Sequence, residues 1–186
     1  HPLVLYNSRP PRPGEEDGVD YYFRSRGEIE TLREEEDRYV VMDVRGDLQA
    51  LDLQQLTANL SRSSVFFEGN PFFGSLLLSH PALAQVDRLS VFMSPLSREE
   101  ILSLRAQTGV EISAFVAEVM RRKLLRRARR LKGELSLLDL EEVERRAGSA
   151  WRELQEAPRF QYILPNHDGE DSDNWEAFYY PLGDAR

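Results

Sequence analysis

Apolar positions along this chain alternate between short continuous runs and three-and-four spacings. Leu3-Val4-Leu5-Tyr6 and Tyr21-Tyr22-Phe23 read as strands. Glu28 to Glu36 reads as a helix with Ile29 and Leu32 as a narrow apolar stripe. Its acidic tail, Glu34 to Asp37, opposes the negative end of a helix dipole, so that helix is expected to end early. Tyr39 to Val44 is a clear strand, Gly46 breaks it, and Leu48 to Leu51 return as its hairpin partner. Asp52 is placed to cap a helix over Leu53 to Leu60. Ser64 to Glu68 and Leu89 to Met93 have the continuous apolar character of strands buried on both faces, as in a parallel sheet. Asn70-Pro71 opens a helix over Phe72 to Ser79 with proline at its first position. Ser97-Arg98-Glu99-Glu100 is a capping box that starts a helix over Arg98 to Ala106.

The carboxyl-terminal half is more helical. In Glu111 to Lys132, Val116, Met120, Leu124, Ala128 and Leu131 recur at three and four residues and make one apolar stripe, and Gly133 ends the helix. Asp139 to Glu156 carries Leu140, Val143, Ala147, Ala150, Trp151 and Leu154 in the same way, and Pro158 stops it. Phe160 to Leu164 reads as a last strand. Asn166 to Asp173 reads as a polar turn, and Asn174 to Tyr180 as a short terminal helix with Trp175 and Phe178 packed inward. Short strands alternating with helices predict a single α/β domain over residues 1–186, with a mostly parallel sheet flanked by helices. Such sheets bind ligands at the carboxyl ends of their strands, which makes Glu68 and Asn166 candidate site residues.

Composition narrows the choice of chemistry. With 186 residues, 41% hydrophobic and a net charge of −8, the chain can bury a sizeable core, and no run approaches a membrane span. It has no cysteine, and its three histidines lie far apart in sequence, so no metal centre built on thiolates or histidines is expected. No signal peptide is visible, and a cytoplasmic location is expected. The chain opens without Met, so upstream residues are expected in the natural protein.

Charge is uneven: Arg121 to Lys132 carries eight basic residues and no acidic one. Three readings of this stretch stay open. They are a phosphate-facing lid, a solvated helix face and a nucleic-acid stripe. Nucleic acid ranks last, because the rest of the chain is acidic and no aromatic lies within the stretch.

Arg9 and Arg12 sit three apart on a loop stiffened by Pro10, Pro11 and Pro13. A stiff loop with two guanidiniums suits a phosphate, since each fork offers two bonds at little ordering cost. An ordinary proline-rich surface loop is the plain alternative. The acidic run Glu15-Glu16-Asp17 and the aromatic strand at Tyr21 follow directly.

The whole string from Arg9 to Phe23 resembles the GMP-phosphate loop of guanylate kinases, whose pattern is T-R-x-P-R-x-G-E-x-x-G-x-D-Y-x-F. Val65-Phe66-Phe67-Glu68 is similar to that family's V-L-L-D strand, and Ser90 to Ser97 resembles its S-I-F-I-x-P-P-S. Glu141 to Arg146 resembles its lid helix, and Tyr162 to Asn166 its late V-I-x-N strand. The resemblance covers nearly the whole chain. It implies a P-loop nucleoside monophosphate kinase-like fold with a small β-containing acceptor region over residues 7–60 and a helical lid over residues 111–156.

The resemblance also implies roles. Arg9, Arg12 and Tyr21 would hold the acceptor phosphate, and Glu15 would brace the arginines. Glu68 would lie near the acceptor base or the metal shell, and Asn166 near a nucleotide. Arg145 or Arg146, with a basic residue among Arg126 to Arg130, would neutralise the transferring phosphoryl as catalytic lid groups. A solvated helix face is the alternative for Arg145 and Arg146. ATP and Mg2+ are the implied cofactors, and a phosphorylated small molecule such as a nucleoside monophosphate is the implied partner, with no membrane partner.

Departures accompany the match. In the register set by Gly46, the family's second phosphate-binding tyrosine is Gln49, its guanine-reading hydroxyl is Leu51, and its base-reading glutamate is Val40. Lost hydrogen bonds remove most of the discrimination between bases, so guanine selectivity is not expected. Asp43 or Asp52 is the available substitute. No G-x-x-x-x-G-K-S/T motif occurs, and the family's strand, P-loop and helix precede the arginine loop, so that segment is expected upstream of His1. The expected activity is transfer of the ATP γ-phosphoryl to a nucleoside monophosphate or related phosphate ester. The alternative is a catalytically inactive module of the same family that binds a phosphorylated ligand or protein.

Overall fold

The structure is a computed structural model that describes residues 1–12 and 14–167. The chain divides into two compact units, His1–His80 and the residues from Pro81 onward. The expected terminal helix at Asn174 to Tyr180, with Trp175 and Phe178, lies outside the described residues.

The first unit is built on a four-stranded sheet. Its elements are β1 (Leu5–Asn7), β2 (Tyr21–Phe23), α1 (Arg26–Thr31), β3 (Tyr39–Val44), β4 (Asp47–Asp52), α2 (Leu53–Leu60) and α3 (Pro71–Ser79). The spatial order is β2-β1-β4-β3, with β1 and β2 parallel and the other pairs antiparallel. Arg45 and Gly46, at φ 58° and 91°, form the two-residue turn between β3 and β4, where two positive φ values match the strands' twist. Ser25 and Glu28 make a capping box on α1, which ends at Thr31 and tightens into a 3-10 turn before the acidic run. Asp52 caps α2 and Asn70 caps α3 ahead of Pro71. One face of the sheet buries Leu48 and Ala50 against Ile29 of α1, with Tyr6, Leu32 and Val41 at the margin.

Ser64 to Glu68 departs from expectation. It forms a single parallel bridge, Phe66 with Pro2, and Phe66 is 63% exposed. The only backbone bonds it makes to a neighbouring strand segment among the described residues run to His1 and Leu3; the Phe67 ring packs against Phe73, centroids 6.4 Å apart, while the Phe66 side of the run is uncovered.

The second unit contains β5 (Val91–Ser94), α4 (Arg98–Ala106), α5 (Ile112–Lys132), α6 (Leu137–Leu154) and β6 (Tyr162–Pro165). Strands β5 and β6 pair in parallel, Val91 opposite Tyr162 through Ser94 opposite Pro165. A short turn folds α6 back on α5. Phe92, Leu96, Val116, Ala150, Leu154 and Ala157 form the core. Helix α6 starts two residues before the expected Asp139, because Ser136 is the N-cap and Asp139 closes its capping box. Leu89 to Met93 was expected to be buried on both faces; instead the strand alternates. Phe92 is buried while Val91 and Met93 are 40% and 47% exposed, since the helices cover one face of this small sheet. Phe160 precedes the last strand and packs edge-on against Phe92, ring centroids 5.4 Å apart. The α/β class holds, with helices packed on one face of the parallel β5–β6 pair.

Candidate functional site

The arginine loop is anchored where β1 ends. Asn7 is buried at 1% exposure, and its Oδ1 accepts the Arg9 N–H at 3.2 Å. Leu48 N–H donates to Ser8 Oγ at 2.8 Å, and Ser8 N–H donates to the Leu48 carbonyl at 2.9 Å, so the sheet continues to the residue before Arg9. Register then fixes the Arg9 side chain's neighbours. Leu5, Asn7, Tyr21, Phe23, Gln49 and Leu51 share one face of the sheet, because side chains alternate along each strand. The Arg9 guanidinium lies on that face, 5.1 Å from the Tyr21 ring centroid and 5.5 Å from that of Phe23.

Glu15 holds the guanidinium from the far side of the loop. Its two oxygens accept from Nη1 and Nη2 of Arg9, each at 2.6 Å, and Oε2 also accepts the Arg12 N–H at 2.7 Å. Arg9 Nη1 donates in addition to the Pro10 carbonyl at 3.0 Å. The Glu15 carboxyl is held below the usual carboxylate range, first by the Arg9 hydrogen bond, against a smaller opposing effect of burial. Burial pulls the Arg9 guanidinium down, but the Glu15 hydrogen bond and charge, with smaller contributions from Tyr21 and Asp47, together outweigh it and raise the value overall. Three of the five guanidinium donors are engaged by Pro10 and Glu15. The rest of the acidic run shapes the loop. Asp17 Oδ1 accepts from the Phe23 N–H at 2.7 Å and from Arg24 at 3.0 Å, and Glu16 N–H donates to Asp20 at 2.8 Å.

Beyond Arg9, the same sheet face is mostly apolar. Gln49 stands opposite both Asn7 and Met42, and Val40 opposite Leu51. Asp43 does not join them. It pairs with Leu48 on the opposite face, where it meets Arg26 at 3.4 Å and accepts the Gly46 N–H at 2.8 Å. Asp52 is committed to Arg38 at 2.9 Å and to the N–H groups of Gln54 and Gln55. Glu68 is an exposed side chain in the loop before α3.

In the second unit, Asn166 follows β6. Its N–H donates to the Ser94 carbonyl at 2.7 Å, and its own carbonyl accepts from Lys123 Nζ. Both strands thus end beside an α5 ammonium. Arg145 pairs with Glu142 on the exposed side of α6, its Nε at 2.9 Å, and Arg146 is partly buried one residue on. Arg126 and Arg130 lie on exposed positions of α5. Arg121 binds Glu144 through Nε and Nη2 at 2.7 and 2.9 Å, which sets α5 against α6. From that level, 1.5 Å per residue puts Arg126 roughly 9 Å and Arg130 roughly 15 Å along the hairpin from Arg145. The four lid candidates are therefore spread along the hairpin.

Asn7 and Lys123 have structural claims that the sequence reading missed. Lys123 stands seven residues after Val116 and three after Met120, so it shares the inward face of α5; its place in a basic run concealed that spacing. Asn7 has the signature of a polar residue ending an apolar strand.

Searched against protein-family models, the chain matches none. Individual relatives do match. A guanylate kinase of Synechococcus sp. is 26% identical over 186 residues, covering 97% of this chain and 72% of that protein. One of Alkalilimnicola ehrlichii is 27% identical over 165 residues, covering 89% of this chain and 66% of the relative. One of Streptococcus agalactiae is 27% identical over 135 residues, covering 73% of this chain and 59% of the relative. The crystal structure of guanylate kinase from Anaplasma phagocytophilum superposes with a TM-score of 0.52 at 19% identity, over 90% of this chain and 67% of that one. The chain thus spans 59% to 72% of the length of these proteins. Together they support a guanylate-kinase-like domain.

Proposed function

We propose that this guanylate-kinase-like chain supplies the acceptor half of a phosphoryl-transfer site. Arg9, Arg12 and Tyr21 hold the phosphate of a nucleoside monophosphate or related ester. The observation that carries the reading is the Arg9 guanidinium, clamped by Glu15 at 2.6 Å and stacked over Tyr21 and Phe23. Its orientation is set before ligand arrives, so little ordering entropy opposes binding.

Gln49 lies on the same face and offers a neutral contact to the ester. Val40 and Leu51 leave no hydrogen bond for guanine there, so the acceptor is bound mainly by its phosphate and the flat face of its base or sugar. ATP would be the phosphoryl donor. Mg2+ would supply charge neutralisation between its phosphates. Among the described residues no cluster of three or more histidines, cysteines or carboxylates could hold a metal, so phosphate oxygens would provide most of its ligands. No helix among the described residues is long and apolar enough to cross a membrane.

A second reading, a module that binds a phosphorylated ligand or protein without turnover, is favoured by the spread of Arg126, Arg130 and Arg145 along the hairpin. Two assays on the full chain test these readings. Titration with nucleoside monophosphates should give saturable binding that Arg9→Ala weakens about 10- to 100-fold. Binding indifferent to Arg9 would remove the loop from the site. Production of nucleoside diphosphate from ATP would select the kinase, and ligand binding without it would select the module.

A further inference from the structure

Two hydrogen bonds carry the β1–β4 ladder past Asn7. Asn7 stands opposite Gln49, and Ser8 then meets Leu48, its N–H on the Leu48 carbonyl at 2.9 Å and its Oγ accepting the Leu48 N–H at 2.8 Å. The next antiparallel step sets Arg9 opposite Asp47, the first residue of β4. Alternation along β4 puts Asp47 on the Gln49 face, which Asn7 and Arg9 share. Residues opposite one another on antiparallel strands have Cβ atoms about 4.5–5.5 Å apart, so the partly buried Asp47 is the cross-strand neighbour of the arginine clamp. The electrostatics agree. Burial lowers the Arg9 value, Glu15 raises it most, and Tyr21 and the Asp47 charge add to the rise.

A carboxylate at this position works against a bare phosphate. Arg9 and Arg12 are matched by Glu15 and Asp47, so an arriving anion meets two cations and two carboxylates. Glu15 has a local task, since both of its oxygens hold the guanidinium. Asp47 comes from another strand and lies along the face where the rest of the acceptor must run. A carboxylate beside a bound phosphate weakens binding by charge repulsion. It strengthens binding only where the ligand brings a hydrogen-bond donor to it. Spacing selects the donor. Asp47 is one strand step from Arg9, so it reaches groups a few bonds from phosphorus. In a sugar phosphate those groups are hydroxyls; a base, held a whole sugar away, lies beyond that step.

We propose that Asp47 is a specificity-determining residue of the acceptor site, accepting a hydrogen bond from a sugar hydroxyl of the ester bound on Arg9 and repelling phosphates that lack one. Resting on the acceptor reading of the arginine loop, this narrows the acceptor to sugar phosphates, nucleoside monophosphates included. It gives the site selectivity without a base contact, for the facing pair Val40 and Leu51 offers no polar side chain.

Calorimetric titration of the full chain with ribose 5-phosphate and with ethyl phosphate tests this. Both are monoesters of equal charge, and only the first carries hydroxyls. The unaltered chain should prefer ribose 5-phosphate at least about tenfold. Asp47→Ala should bind ethyl phosphate about three- to tenfold more tightly, as the repulsion is lifted, and should lose most of that preference. Asp47→Asn has nearly the same shape and keeps a neutral acceptor, so it should also tighten ethyl phosphate while retaining part of the preference. A damaged fold would weaken both ligands together and cannot produce this pattern. A preference unchanged in Asp47→Ala overturns the proposal, as does ethyl phosphate binding that weakens in Asp47→Asn. Arg9→Ala separates the premise from the proposal, and should weaken both ligands by a similar factor. Binding of both ligands that is indifferent to Arg9 would remove the acceptor reading itself, and the role of Asp47 with it.

Discussion

Replacing Glu15 puts the greatest load on the arginine loop. Its carboxylate accepts three charge-assisted hydrogen bonds, two from the Arg9 guanidinium at 2.6 Å and one from the Arg12 N–H at 2.7 Å. A hydrogen bond to a charged group contributes about 1.5–3 kcal/mol. The three share one carboxylate and cannot be added. Losing a partner from a buried ion pair costs roughly 3–5 kcal/mol, but these side chains keep 12% and 19% of their exposure, which discounts that figure. Glu15→Ala should therefore destabilise the first unit by about 3 kcal/mol, and Glu15→Gln by about half that, since an amide still accepts but carries no charge.

The assay is urea unfolding followed by tyrosine fluorescence, which moves the midpoint and leaves the m-value unchanged. The same pair predicts acid sensitivity. Glu15 titrates lower folded than unfolded, so its contribution is present above the ordinary glutamate range and is lost as pH falls through the depressed folded value. Glu15→Gln should flatten that part of the stability profile. A loss below about 0.5 kcal/mol, the worth of a screened surface pair, would refute the reasoning.

Other outcomes follow from single contacts. Gly46→Ala places a Cβ at φ 91° in the β3–β4 turn and should cost about 1–2 kcal/mol by urea midpoint. Gln49→Tyr restores the aromatic hydroxyl that the resemblance puts at this position. It should tighten nucleoside monophosphate binding several-fold by calorimetry, and no gain would remove Gln49 from the pocket. Lys123→Met removes the ammonium from the Asn166 carbonyl and should speed hydrogen exchange of the Asn166 N–H, bonded to Ser94, about tenfold.

The hairpin β3–β4, the helix caps and the α5 stripe from Val116 to Ala128 were legible because each depends on residues close in sequence; Leu131, the stripe's expected last member, is 69% exposed where the helix ends. Asp52, Asn70, Ser97 and Gly133 act within three or four positions of themselves. The arginine loop was legible as a pattern, and its Glu15 brace is local for the same reason. Burial was harder to read. Phe66, Val91 and Met93 look like interior strand residues, but whether an apolar strand is covered depends on distant segments, and here one face of each has no layer over it. Asp43 was misplaced by register: it directly follows Met42, which stands on the Gln49 face, and a strand reverses its faces at every residue. The inward turn of Lys123 was hidden by composition, since eight cations in one stretch suggest a uniformly solvated face.

The central claim is that the arginine loop binds the acceptor's phosphate while the neighbouring sheet face does not read guanine. Calorimetric titration of the full chain with GMP, AMP, UMP and CMP, repeated with Arg9→Ala, tests it most directly. The account predicts affinities within about tenfold of one another, all weakened by a similar factor in Arg9→Ala. Selective GMP binding, tighter by about a hundredfold or more than the others, would contradict it, as would affinities unchanged by the loss of Arg9.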